Sequence, residues 1–123
     1  MEVGVKIAFV GDVVGKPGRL AVRSLLPKLI TDSSEFDAII INGENSSGFR
    51  GITHRIFKEL IRAGATVVTT GNHVWAQQDV FNFIDNEPRI VRPANYPAGV
   101  PGRGFTVVTL NDGRKLGVIN LAG

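Results

Sequence analysis

Apolar residues in this chain gather into three short runs, and each run ends beside a glycine. Ile7-Ala8-Phe9-Val10 leads into Gly11-Asp12, Ile39-Ile40-Ile41 into Asn42-Gly43-Glu44-Asn45, and Val67-Val68-Thr69-Thr70 into Gly71-Asn72-His73. Short β-branched runs bounded by turn residues read as strands, predicted here over residues 5–10, 37–42 and 66–70. The second run is apolar without alternation, as expected of a strand covered on both faces. Between the first two strands, Val22, Leu25, Leu26 and Leu29 recur at helical spacing, and Pro27 predicts a kink or break near Arg23 to Leu26. Thr53 is placed to cap a second helix with Ile56, Phe57, Leu60 and Ile61 inward, and Gly64 stands where a C-cap residue belongs. A third helix is predicted over 75–85, burying Val80, Phe81 and Ile84. Prolines 88, 93, 97 and 101 bar helix from the next stretch, which reads as a short strand at Ile90-Val91 running into an ordered loop. Phe105 to Leu110 and Lys115 to Leu121 flank Asn111-Asp112-Gly113-Arg114, and the Asp-Gly pair signals a hairpin.

The three runs are evenly spaced. Asp12 and Glu44 are 32 residues apart and Glu44 and Asn72 are 28 apart, close to the roughly 30 residues of one βαβ unit. Parallel strands would bring all three loops to one sheet edge, the place where open α/β sheets form their ligand crevice. Asp12, Glu44, Asn45, Asn72 and His73 are therefore expected to converge.

Composition narrows the class. A chain of 123 residues, 43% apolar and 20% charged, reads as one globular domain and not as a disordered segment. No cysteine is present, which removes disulfides, thiolate metal sites and thiol nucleophiles together. The start, Met1-Glu2-Val3-Gly4-Val5-Lys6, carries an acid where a signal peptide wants bases, and no apolar run approaches the roughly 18 residues that cross a bilayer. The expectation is a soluble, cytoplasmic protein with no membrane partner. Net charge is +3 with a pI near 9.7, a mild bias towards phosphate-bearing ligands. Lys16, Arg19, Arg23 and Lys28 gather around the first helix, but without interleaved aromatics they read as a solvated face and not as a nucleic-acid signature, and no sequence-specific nucleic-acid binding is expected.

The loops offer chemistry. Asp12, Glu44, Asn45 and Asn72 supply oxygen ligands, and a carboxylate such as Glu44 can bridge two divalent ions roughly 3.5 to 4 Å apart, as in hydrolytic two-metal sites. His73 belongs to the residue type suited to protonating a leaving oxygen or donating to a phosphoryl group. Each has a plainer reading: Asp12 as a turn former, Asn42, Asn45 and Asn72 as turn residues, His73 as a helix-entry residue like His54. Gly11-Asp12-Val13-Val14-Gly15-Lys16-Pro17 approaches a phosphate-binding P-loop but fails, with three residues between its glycines and a proline in place of Ser or Thr.

Through Gly11-Asp12-Val13-Val14-Gly15-Lys16-Pro17-Gly18-Arg19, Asn42-Gly43-Glu44-Asn45, Gly71-Asn72-His73-Val74-Trp75 and Arg92-Pro93-Ala94-Asn95-Tyr96-Pro97, the chain resembles the bacterial YmdB-like branch of the calcineurin-like metallophosphoesterases. Val14 stands where other branches carry the first motif's His, and Glu44-Asn45 replaces their second motif. The resemblance implies a mainly parallel α/β sheet with flanking helices and a C-terminal β-hairpin, half of a two-sheet α/β sandwich. It implies that Asp12 and Asn45 bind one metal, Glu44 bridges, Asn72 binds the other and His73 assists phosphoryl transfer. It further implies two divalent ions, iron or manganese, and hydrolysis of phosphodiesters such as 2′,3′-cyclic nucleotides. Ala76 replaces an acid that often follows the Trp.

Members of that family are about twice this length and add a lone His and a His-x-His, whereas this chain holds only His54 and His73. Residues 1–123 are thus expected to be the amino-terminal part of a single domain whose carboxyl-terminal half is absent, weakly active or inactive alone. The expected partners are that half or a second copy. The competing reading is a non-catalytic nucleotide- or partner-binding α/β domain; a third is a short subunit that pairs with a separate second half. Arg92 to Pro97 reads either as a pocket lining or as a structural proline turn.

Overall fold

The computed structural model describes residues 4–33 and 35–123. Strand β1 (Ile7–Val10) leads into helix α1 (Gly15–Ser33), followed by β2 (Ala38–Asn42), α2 (His54–Ala63) and β3 (Val67–Thr69). After a 3₁₀ helix at Gln78–Asn82 come β4 (Ile90–Val91) and the hairpin strands β5 (Phe105–Thr109) and β6 (Lys115–Ile119). The first four strands form one parallel sheet in the order β1-β2-β3-β4, and β5 and β6 pair antiparallel. The mainly parallel α/β class with a terminal hairpin is as expected.

Helices cover one face and the hairpin the other. On the helical face Val22 and Leu26 of α1 and Ile56, Phe57 and Leu60 of α2 pack with Ile39, Ile41 and Val68 of the sheet. On the opposite face Ile40, Val67 and Val91 meet Val108, Leu116 and Val118 of the hairpin. Alternation along β2 explains why all its apolar residues are buried: odd positions face the helices and Ile40 faces the hairpin. The caps of α2 form as predicted. Thr53 Oγ1 accepts from Ile56 N at 3.3 Å, and Gly64, with φ of 128°, returns its N–H to the helix end.

Three expectations need correction. Helix α1 runs unbroken through Pro27, and its predicted stripe is only half buried: Val22 and Leu26 are inside while Leu25 and Leu29 are 58% and 52% exposed. The line that packs inward is Val22 and Leu26, continued by Ile30 against Gly64, and Leu25 and Leu29, each one position earlier, stand about 100° round the helix from it. The third helix over 75–85 is not formed. Its backbone bonds are mostly three-residue turns, from Val74 N to Gly71 O, Ala76 N to His73 O and Val80 N to Gln77 O, and only the 3₁₀ helix survives. Two tertiary bonds compete with a regular helix: Gln77 Nε2 donates to Arg50 O and Asp79 accepts from His54 N. Phe81, expected inside, is 42% exposed and stacks on Trp75, whereas Phe83 takes the core position beside His54.

Among the described residues no helix is long and apolar enough to cross a membrane.

Candidate functional site

Three loops meet at the carboxyl ends of β1, β2 and β3. The first is tied to the second by Val13 N donating to Asn42 O at 3.1 Å and Gly15 N donating to Asn45 O at 2.9 Å. Gly15 holds a φ of 57° against the Gly48 carbonyl, leaving no room there for a side chain. The second is tied to the third strand by Gly43 N donating to Thr69 O at 2.9 Å. Its turn is stiffened by Ser46 Oγ donating to Gly43 O at 2.6 Å and by Arg19 Nη1 donating to Ser46 O at 2.6 Å.

Four of the five expected residues come together. Asn45 Nδ2 donates to Asp12 Oδ1 at 3.0 Å and to Oδ2 at 3.1 Å. With its amide nitrogen turned to Asp12, Asn45 offers its oxygen to His73 Nδ1 at 2.5 Å. An amide oxygen only accepts, so this orientation assigns the Nδ1 proton to His73 and leaves Nε2 facing away from the pair. Glu44 lies on the other side of the same loop: His73 N donates to Oε2 at 3.3 Å and Asn42 Nδ2 to Oε1 at 3.4 Å. Asn72 is exposed next to His73, and among the described residues its side chain makes no hydrogen bond to the other four.

Gly71 makes this packing possible. A Cβ there would stand 2.6 Å from Glu44 Oε2, so any side chain would displace the carboxylate. Asn120 Nδ2, from the far end of the hairpin, donates to Thr70 O at 2.6 Å and Val91 O at 3.2 Å and fixes the strand end just before that glycine. The proline segment is an ordered turn held by Arg92, whose guanidinium donates to the carbonyls of Pro93, Val100, Pro101 and Gly102. His54 stays outside the site, at the start of α2, with Nε2 3.1 Å from Glu87.

The donor set is two carboxylates, two amides and an imidazole, which suits a hard or borderline divalent cation. The bare Gly71 clears the space in front of Glu44, and the residues fit one side of such a centre. They do not close it: among the described residues no three His, Cys, Asp or Glu side chains are grouped to hold a metal. Sequence reasoning singled out the ligand-type residues but passed over Asn42, Gly71 and Asn120, which orient them. The signal for Asn42 was present two positions before Glu44; for Asn120 there was none without knowing the hairpin's place.

The profile of YmdB-like proteins matches residues 8–123. The chain belongs to that family. It is 49% identical over 118 residues to a 2′,3′-cyclic-nucleotide 2′-phosphodiesterase of Bacillus subtilis, a match covering 96% of this chain and 44% of that protein. Among solved structures it is similar to a hypothetical protein from Thermus thermophilus, with a TM-score of 0.86 and 38% identity over 95% of this chain and 44% of the other. It is also similar to a phosphatase from Mycoplasma pneumoniae, with a TM-score of 0.87 and 31% identity, covering all of this chain and 44% of that one. The chain of this YmdB-like protein thus spans a little under half the length of the relatives it matches.

Proposed function

We propose that this YmdB-like chain carries one wall of a metal-dependent phosphodiesterase site acting on phosphodiesters such as 2′,3′-cyclic nucleotides. The observation that carries the reading is the hydrogen-bonded chain from Asp12 through Asn45 to His73, with Glu44 beside it, at the strand ends. Asp12 and Asn45 would hold one divalent ion, iron or manganese, Asn72 the other, and Glu44 both. Such ions supply charge neutralisation on phosphoryl oxygens and an activated water. The chain's own residues do the rest. His73, its Nδ1–H held by Asn45, presents Nε2 to the departing ribose oxygen; with the ring in its imidazolium form both nitrogens carry protons, and Nε2 gives its own to that oxygen, leaving the neutral Nδ1–H ring. Asn45 fixes that ring while its amide nitrogen holds the Asp12 carboxylate in place. Gly71 keeps Glu44 forward, and Asn42 steadies it.

The remaining donors belong, in this reading, to polypeptide corresponding to the part of the Bacillus relative that this chain does not cover. Phe105, Val107, Ile119 and Leu121 are exposed on the outer face of the hairpin, and Phe9 is exposed on β1; that polypeptide would cover them, and the compartment would be the cytosol. The test is hydrolysis of 2′,3′-cyclic AMP by this chain alone and mixed with that segment of the relative. Activity that appears on mixing, disappears with chelator and returns with manganese or iron supports the proposal; an inert mixture with demonstrated complex formation overturns it.

The second reading, a non-catalytic nucleotide-binding domain, is favoured by the lack of a closed three-residue ligand group among the described residues. Nucleotide binding indifferent to chelator, without turnover in the mixture, would decide for it.

A further inference from the structure

The net charge of +3 hides an uneven distribution. Seven of the fourteen Lys and Arg lie on α1 and α2, which carry only two acids, Asp32 and Glu59, while the rest of the chain has seven cations against nine acids. Between the two helices runs a groove of about 410 Å³ lined by Arg23, Pro27, Arg55, Glu59, Arg62 and Ala63. Glu59 already serves both Arg19 at 3.8 Å and Arg23 at 4.0 Å, and the Arg23 side chain remains 63% exposed. One carboxylate among three lining arginines leaves the groove strongly positive, and focusing by its walls adds to the field.

The two helices that wall the groove both begin beside the site loops. Helix α1 opens at Gly15, bonded to Asn45 O, and α2 opens directly after the loop that carries Glu44 and Asn45. From Lys16 to Arg23 the basic track follows about 10 Å of helix. We infer that the α1–α2 groove binds the phosphate backbone of single-stranded RNA and leads the strand towards the loops of the site. No aromatic side chain lines it, so it reads phosphate and is blind to sequence. That the strand is RNA rests on the phosphodiesterase reading, because a 2′,3′-cyclic phosphate needs both ribose hydroxyls. An anionic membrane fits less well, because the basic side chains line a concave groove and not an exposed convex face.

The experiment is fluorescence anisotropy of the full chain with labelled oligouridine, ended either in a 2′,3′-cyclic phosphate or a 3′-hydroxyl, across about 50 to 200 mM salt. Combined Arg23→Glu, Arg55→Glu and Arg62→Glu should weaken both roughly tenfold or more and flatten the log–log salt slope by about 2. A control with the same charge change at exposed positions, Lys6→Glu, Arg103→Glu and Lys115→Glu, should keep affinity within about twofold. Equal losses in the two triples overturn the inference, as does retention by phosphatidylglycerol vesicles without RNA binding. If circular dichroism shows the glutamate triple unfolded, the corresponding glutamine triple is read instead, with the same criteria. Failed hydrolysis with groove-dependent binding intact removes the catalytic reading and leaves the groove.

Discussion

The two faces of the parallel sheet are built to different depths. Against the helices lies a continuous core in which Ile41, Ile52, Leu60 and Val68 are almost wholly inaccessible. Against the hairpin the buried apolar cluster among the described residues is Ile40, Val67 and Val91, under Val108, Leu116 and Val118, which are themselves half covered. The first face is finished by elements local in sequence, each strand handing on to the helix that covers it. The second is covered by two strands from the end of the chain, whose outer surface is again apolar. Stability is therefore expected to live on the helical face and assembly on the other.

The largest test of that contrast is Leu60→Ala. Its side chain is buried at the centre of the helical core, and truncation should cost about 2–5 kcal/mol in denaturant unfolding. Val118→Ala, on the half-covered hairpin side, should cost about 1 kcal/mol; a loss equal to that of Leu60→Ala would erase the distinction between the faces. Thr53→Ala removes the oxygen that accepts from Ile56 N and should cost about 1 kcal/mol, with the loss localised to α2 by amide hydrogen exchange. The smallest effect is with acid. The His54 N–H, and then Asn82, hold the Asp79 carboxyl below its ordinary value of 3.8. Because the folded state favours the ionised form, this stabilisation is present above that value and is lost as pH falls below it. Asp79→Asn should flatten the acid limb of the stability curve, and an unchanged limb would mean that the bond contributes nothing.

The same contrast explains what could be read in advance. β1, β2, β3 and α2 with both caps were legible because pattern, caps and packing agree within a few residues of chain. The stretch after Asn72 was not, because Gln77 and Asp79 make bonds to residues 25 or more positions away, and helical spacing of Val80, Phe81 and Ile84 says nothing of them. Leu25 and Leu29 misled for a simpler reason: a stripe of neighbouring leucines does not reveal which of its edges faces the sheet, and here the line through Val22 and Leu26 does. In the site, loop spacing was enough to bring Asp12, Glu44, Asn45 and His73 together. The residues that aim them, Asn42, Gly71 and Asn120, act through close approach and long-range bonds that no spacing rule encodes.

Asn45 gives this corner a handedness of polarity. Its amide is one of the few groups that presents a donor on one side and an acceptor on the other in almost the same volume, and here the donor meets a carboxylate and the acceptor an imidazole N–H. Aspartate at this position would match the outline atom for atom yet set two anions face to face; leucine would match the bulk and address neither neighbour. What the position encodes is a direction, like a keyed plug that enters its socket one way round.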